Sequence, residues 1–309
     1  MKICDLTSPL SIDMPLLVTQ VKAGVTNAGA PYLSVTFRDN TATIEGKMWD
    51  VKEKYNQLIK AGKVLNVKAD VINYRGTLQL KIIDCYEPSE EIDLQQFVLS
   101  GPYTKETLKS YIDSEIDKIN NQDIFRIVKD IYRQYEDQVY FSAAAAKNHH
   151  EYCGGLATHV YSMLHLAEMF CTNYPYLNKD LLLGGILLHD IGKVIELKTS
   201  AVTEYTVEGR LLGHISISQT IIKETADKLG INSEAVLLLR HMVLAHHGQY
   251  EFGSPVLPMI IEAEALHFID DVDAKMTMIE KELRQIPPKE FTNRIFALDN
   301  RSFYNHGMK

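Results

Sequence analysis

Ten of the chain's 11 histidines fall between His149 and His267, and none precedes them. Five of these, His159, His189, His214, His246 and His247, have the company of Asp190 and of Asp270, which Asp271 and Asp273 closely follow. Five imidazoles and two carboxylates suit Mn²⁺, Fe²⁺, Zn²⁺ or Ni²⁺ and are too rich in nitrogen for a typical Mg²⁺ or Ca²⁺ site. Metal ions so held can polarise a phosphoryl group and activate water, the chemistry of phosphodiester hydrolysis. A lone histidine on a helix is more often structural, and His165 and His267 read that way, with His306 a tail residue.

The elements that must position these groups are helices. Residues Leu181 to Ile191 are apolar on nearly every side and read as a buried central helix. It ends in His189-Asp190-Ile191-Gly192-Lys193, and polar groups at a buried helix end are costly unless paired or metal-bound. His159 lies in a helix beginning at Gly154-Gly155, and His214 follows Gly213 at the start of another. His246-His247-Gly248 closes a helix capped near Asn232-Ser233, and the three aspartates ride on a long helix read from Ser254-Pro255 onward. Lys193 adjoins the ligands and can neutralise a phosphate oxygen; the plain alternative is a cation facing the helix dipole. Arg210 takes the same argument. His149 and His150 contact substrate phosphate or support a ligand, or else form a polar helix entry.

The first part of the chain has a different period. From Leu16 to Asp84 apolar residues alternate, as in Leu33, Val35 and Phe37, then Ala42, Ile44, Gly46 and Met48. A short helix fits 51–61, and two more strands fit 64–72 and 77–83. Three strands, a helix and two strands is the element order of an OB-fold. The outward register carries Tyr32, Thr36, Arg38, Lys47 and Trp49, and the last turn adds Tyr74 and Arg75. Aromatic rings for base stacking beside Lys and Arg for phosphates suit a single-stranded nucleic acid. The same residues also suit an ordinary solvated surface, and the barrel context favours binding.

Charge and composition agree with this division. Residues 1–84 hold 11 Lys/Arg against 8 Asp/Glu, and residues 85–309 hold 21 against 32, so the net −8 combines a mildly basic part with an acidic one. Such a balance excludes a uniformly basic nucleic-acid coat. No apolar run is long enough to span a bilayer, and the N-terminus lacks a signal-peptide core, so no membrane partner is expected. Four scattered cysteines form no CxxC pair and fit a reducing cytoplasm.

The order His…His-Asp…His…His-His…Asp resembles the signature of HD-domain phosphohydrolases in the variant that binds two metals. In that superfamily the last aspartate often stands in D-x-x-D-A, matched by Asp270-Asp271-Val272-Asp273-Ala274. The resemblance thus favours Asp270 as the ligand, with Asp271 the alternative. The resemblance narrows to the YhaM family through Ala146-Lys147-Asn148-His149-His150, Gly154-Gly155-Leu156 and Gly209-Arg210-Leu211-Leu212-Gly213-His214. Thr292-Asn293-Arg294 and Leu298-Asp299-Asn300-Arg301 add to it, as does an OB domain ahead of the HD domain. It covers essentially the whole chain.

This resemblance implies a multidomain α and β protein, an N-terminal OB-fold β-barrel followed by an all-α HD domain. It implies a cytoplasmic 3′→5′ exoribonuclease using two divalent metal ions, Mn²⁺ first, on single-stranded RNA and also on single-stranded DNA. In that mechanism Asp190 is the bridging carboxylate and, with Lys193, a catalytic residue. The expected boundaries are 1–90 for the barrel, 91–145 for a helical connector and 146–309 for the HD domain. The connector either packs on the HD domain or mediates a homo-oligomer. Two rivals stand beside this reading. An HD phosphodiesterase could act on a cyclic dinucleotide or a nucleoside triphosphate, although no GYP follows His246-His247-Gly248. A nucleic-acid-binding protein with a silent HD domain is the other, although no ligand position is lost.

Overall fold

The computed structural model describes residues 1–26, 29–74, 76–89, 92, 97, 101–142, 154–198 and 203–308. The chain forms two compact units, one from Met1–Ser100 and the other from Gly101–Lys198 with Thr203–Lys309.

Alternating apolar residues close the first unit into a barrel. Its strands are β1 (Leu10–Val25), β2 (Pro31–Arg38), β3 (Thr43–Trp49), β4 (Val64–Tyr74) and β5 (Thr77–Tyr86), in the order β1-β2-β3-β5-β4. All neighbours are antiparallel except β3 and β5. The short helix α1 (Glu53–Leu58) precedes β4. The first strand begins at Leu10, earlier than the alternation suggests, because it pairs with β4 in its first half and β2 in its second. Leu33, Val35, Phe37, Ile44 and Met48 are buried inside, which leaves the alternate positions of β2 and β3 facing out.

The second unit is helical. It contains α2 (Lys105–Ile116), α3 (Gln122–Gln134), α4 (Glu136–Phe141), α5 (Gly155–Asn173), α6 (Lys179–Leu188) and the single turn α7 (Lys193–Glu196). A two-stranded ribbon of β6 (Leu197–Lys198) and β7 (Glu204–Tyr205) leads to α8 (Val207–Lys228), α9 (Glu234–Ala245) and α10 (Ile261–Leu283). Capping starts several of these helices: Thr104 accepts from Thr107 N–H, Asn121 from Asp123 and Ile124, and Asn178 from Leu181. Every residue of α6 from Leu181 to Leu188 is buried, so this helix is the axis of the unit.

The helices of 105–141 share that core. Leu108, Ile112, Ile127 and Ile131 pack in one cluster with Leu182, Ile186, Leu239 and Leu266. Their apolar stripe is therefore closed by the HD helices, and the segment read as a connector belongs to the second unit from Gly101 onward. The last long helix begins at Ile261, not near Ser254-Pro255 as expected. Pro258 explains the later start, since it lacks an N–H and disfavours helical backbone at the residue before it. Among the described residues, no helix is long and apolar enough to cross a membrane.

Candidate metal centre

Four helices bring the histidines together at their ends or buried faces, and a fifth adds Asp270. His159 is on the second turn of α5, while His189 and His246 are the residues that end α6 and α9. His214 sits just beyond a break in α8 at Gly213, whose φ of 71° and ψ of 151° only glycine adopts without strain. Asp270 projects from the middle of α10.

Two trios result. His159, His189 and Asp270 form one, and His214, His246 and His247 the other, with the potential ligand atoms of each within 4.8 Å of one another. Asp190 lies between them. Its Oδ2 is 3.3 Å from His189 Nε2, and its Oδ1 is 3.4 Å from His214 Nε2 and 3.8 Å from His246 Nε2. His159 Nε2 is 3.1 Å from Asp270 Oδ1.

All five imidazoles are held from behind. The Nδ1 atoms of His189, His246 and His247 lie 2.8, 2.7 and 2.7 Å from the carbonyl oxygens of Ile186, Val243 and Phe252. His159 Nδ1 is 2.7 Å from Asp273 Oδ2, and His214 Nδ1 is 3.3 Å from Glu196 Oε1. A carbonyl or carboxylate oxygen accepts there, so Nδ1 carries a proton and Nε2 of the neutral ring is the atom left to bind an ion. The Nε2 atoms turn toward the centre. His189 Nε2, His214 Nε2, His246 Nε2 and Asp190 Oδ1 are buried yet make no hydrogen bond. Orphaned nitrogen and oxygen atoms converging in a buried site are costly without a partner, and a divalent cation is the partner that fits this donor set.

The electrostatics of the site are consistent with that use. Burial, and then the neighbouring His247 and His189, hold His246 well below the usual histidine range. Burial likewise lowers His247. Burial opposes the charge on His159, but Asp270 and Asp273 outweigh it and push the ring up to about 10. Binding of an ion at that trio is therefore coupled to proton release. Burial alone would raise Asp190, yet Lys193, His189 and His214 hold it well below the carboxylate range.

A cavity of about 290 Å³ opens over the centre, lined by Asp190, Lys193, His247, Phe252, His267, Asp270 and Asp271 among others. Lys193 Nζ is 2.6 Å from Asp190 Oδ2. On the barrel, Tyr32 and Trp49 are cross-strand partners with ring centroids 5.2 Å apart, and Lys47 Nζ lies 5.8 Å from the Trp49 ring. Trp49 is 47% exposed, so it does not plug the barrel. Arg38 Nε donates to the Phe97 carbonyl at 3.1 Å, and Tyr74 is exposed at the end of β4.

The comparisons with known proteins agree in both halves. A family described as "HD domain" matches residues 156–275, and one described as "OB-fold nucleic acid binding domain" matches 17–87. The chain is 44% identical over 295 residues to "3′-5′ exoribonuclease YhaM" of Geobacillus sp. (strain WCH70), covering 95% of this chain and 91% of that protein. It is also 44% identical to the protein of that name from Bacillus pumilus (strain SAFR-032), over 95% of this chain and 94% of the relative. The chain belongs to the YhaM family. Among solved structures it is similar to the second OB-fold domain of replication protein A from Methanococcus maripaludis, at 20% identity and a TM-score of 0.25, over 30% of this chain and 98% of that one.

Within this YhaM frame, the structure brings together His159, His189, Asp190, His214, His246, His247, Asp270 and Lys193. Asp271, also on the cavity wall, instead pairs with Lys275 at 2.7 Å. Arg210 is exposed on α8, one turn before His214. His149, His150 and Arg75 lie outside the described residues. Sequence reasoning missed three roles. Asp273 anchors His159, and its spacing of three from Asp270 on one helix face was the available signal. Glu196 anchors His214 through both the ring and the backbone N–H, at 3.0 Å for the latter, and no local pattern announces a partner 18 residues away. His267, read as structural, lines the cavity.

Proposed function

We propose that this chain is a metal-dependent 3′→5′ exoribonuclease that shortens single-stranded RNA, and also single-stranded DNA, to nucleoside 5′-monophosphates. The observation that carries it is the set of five imidazoles anchored through Nδ1, with Asp190 lying between two trios of ligands. In this reading His159, His189 and Asp270 hold one ion, His214, His246 and His247 hold a second, and Asp190 serves both. Mn²⁺ is the first choice, with Fe²⁺, Zn²⁺ and Ni²⁺ as chemically equivalent alternatives. The bound ions supply Lewis acidity toward the phosphate and lower the pKa of a nearby water.

The chain's own residues do the rest. Burial opposes the charge of Lys193, but Asp190 and Asp270 keep its pKa raised. The ammonium therefore stays charged on the cavity wall, where it orients Asp190 and meets a non-bridging phosphate oxygen. Water adds its oxygen to phosphorus, the bond to the 3′-oxygen of the penultimate nucleotide breaks, and that oxygen takes a proton. On the barrel, Tyr32, Trp49 and Tyr74 stack bases and Lys47, Arg38 and Arg75 meet phosphates. Arg210, His149 and His150 are further substrate contacts in this scheme. The polymer-binding barrel favours RNA over a small cyclic nucleotide. The reading extends to a cytoplasmic setting, which the scattered cysteines suit, and to a homo-oligomer, which the exposed Phe268, Met276, Phe291 and Phe296 suit.

One assay tests the core of this. With Mn²⁺, a 5′-labelled single-stranded RNA gives a descending ladder, and a 3′-labelled one releases its label at once as a mononucleotide. Asp190→Ala stops both by a factor of at least about 10³ while RNA binding persists. Cleavage of a circular RNA, or near-normal turnover by Asp190→Ala with unchanged metal content, overturns the assignment.

A further inference from the structure

We propose that His267 accepts a hydrogen bond from a hydroxyl of the 3′-terminal ribose, so that this ring lets the site read ribose at the chain end. The inference rests on the exonuclease reading and adds to it a group that senses the sugar.

His267 stands one turn before Asp270 on α10 and lines the cavity over the metal centre beside Lys193 and Phe252. Its orientation is set on two sides. Nδ1 lies 3.1 Å from the carbonyl oxygen of His246, which can only accept, so Nδ1 bears the hydrogen. The ring also lies against Gly248, whose φ is 74°; a Cβ there would come within 2.4 Å of the ring's Cγ, Cδ2 and Nδ1. A side chain at 248 would therefore displace the imidazole, and the glycine after His246-His247 has this packing use as well as its left-handed turn.

The opposite nitrogen remains. Nε2 makes no hydrogen bond among the described residues, and it is not one of the buried atoms sealed from solvent without a partner. In the neutral ring it offers a lone pair. A phosphate oxygen is itself an acceptor and gains nothing from that lone pair, whereas a hydroxyl donates to it. The phosphate already has Lys193 and the ligand-bearing side of the cavity. The nucleoside on the 3′ side of the scissile phosphate carries two hydroxyls, at 2′ and 3′, and a cavity of about 290 Å³ suits a group of about one nucleotide. Phe252, 58% exposed on the same cavity, offers a face for its base. Contact with a sugar hydroxyl is also the means by which a protein tells RNA from DNA.

The test uses the full chain with Mn²⁺ and three 5′-labelled oligoribonucleotides of one sequence, ending in a ribonucleotide, a 2′-deoxynucleotide or a 3′-deoxynucleotide. The wild type removes the ribose end about three- to tenfold faster than the end lacking the bonded hydroxyl. The two deoxy arms show which hydroxyl it is. His267→Ala loses this preference by slowing on the ribose end alone, His267→Gln restores part of it through its amide oxygen, and Phe252→Ala slows all three ends alike. Metal per chain and melting temperature of His267→Ala match the wild type. An unchanged preference in His267→Ala overturns the inference, as does a loss of bound metal that slows all three ends equally, which would make the residue a prop for His246. If the wild type hydrolyses none of the ends, the exonuclease reading falls and this inference with it.

Discussion

Each histidine of the centre has two nitrogens with separate duties, and the second duty decides the first. A ring whose Nδ1 is tied to Ile186, Val243 or Phe252 cannot turn, and its Nε2 is presented at a fixed place. His159 differs in being tied to a charged group, Asp273, which is itself only 5% exposed. A carboxylate behind a ligand imidazole raises its basicity as well as orienting it. We expect Asp273→Asn to keep the fold and to lower metal affinity about 10–100-fold. Competition against a chelating dye measures this, and an unchanged affinity would remove Asp273 from the centre.

At the scale of elements, β2 and β3 present Tyr32 and Trp49 on one face while Leu33 and Met48, their chain neighbours, are buried on the other. Trp49→Ala leaves no cavity, so melting temperature should barely move. Losing the stacking platform should raise KM for long single-stranded RNA about tenfold, with hydrolysis of a dinucleotide unchanged. Equal damage to long and short substrates would take Trp49 off the RNA path. The turn after β2 carries a different kind of charge. Asp39 accepts from the N–H groups of Ile3, Thr41 and Ala42 at 2.7, 2.7 and 3.0 Å and from the Thr41 hydroxyl at 2.6 Å. Burial raises its pKa, but these bonds outweigh it and the net shift is downward. A depressed folded-state pKa contributes stability that is full above the unfolded value and is lost as pH falls through the folded one. Asp39→Asn should therefore destabilise the barrel by about 1–3 kcal/mol at pH 7, and the gap to wild type should begin to narrow as pH falls below about 4, toward the depressed folded-state pKa. Denaturant melts at pH 7 and pH 3 check the sign; a gap no smaller at pH 3 than at pH 7 contradicts it.

The described residues build two main apolar cores, and we expect each to carry its own stability. The barrel core is built from residues such as Val35, Leu65 and Leu80, and the helical core from residues between Leu108 and Ile269. The proposed ligands all belong to the second, so metal removal should act on one unit only. Saturating ion at 100–1,000 times its Kd stabilises the folded form by about 3–4 kcal/mol per site. The sole tryptophan, Trp49, reports the barrel, while far-ultraviolet dichroism is dominated by the helices. Chelation should lower the dichroism transition and leave the tryptophan transition in place. A common shift of both would mean that the units melt as one.

Much of this was legible before any fold was seen. Alternation at period two marked the barrel and its outward face, because side chains of a strand point to opposite sides whatever the partner. The apolar run ending in His189-Asp190 marked a buried polar pair, because burial without a partner is unfavourable in any fold. The ligand types limited the metals. The remainder depended on distance between residues far apart in sequence. Only the packing of α10 on α5 set Asp270 and Asp273 toward the two nitrogens of His159. Only the ribbon and the break at Gly213 brought Glu196 behind His214. His267 looked like any helix histidine until the left-handed turn at Gly248 gave its ring a place over the cavity. The helices of 105–141 carried a plain apolar stripe, and the stripe could not say which surface would cover it. Periodicity and burial cost act within one element, whereas hydrogen-bond partners and cavity walls come from several elements and exist only once those elements have packed.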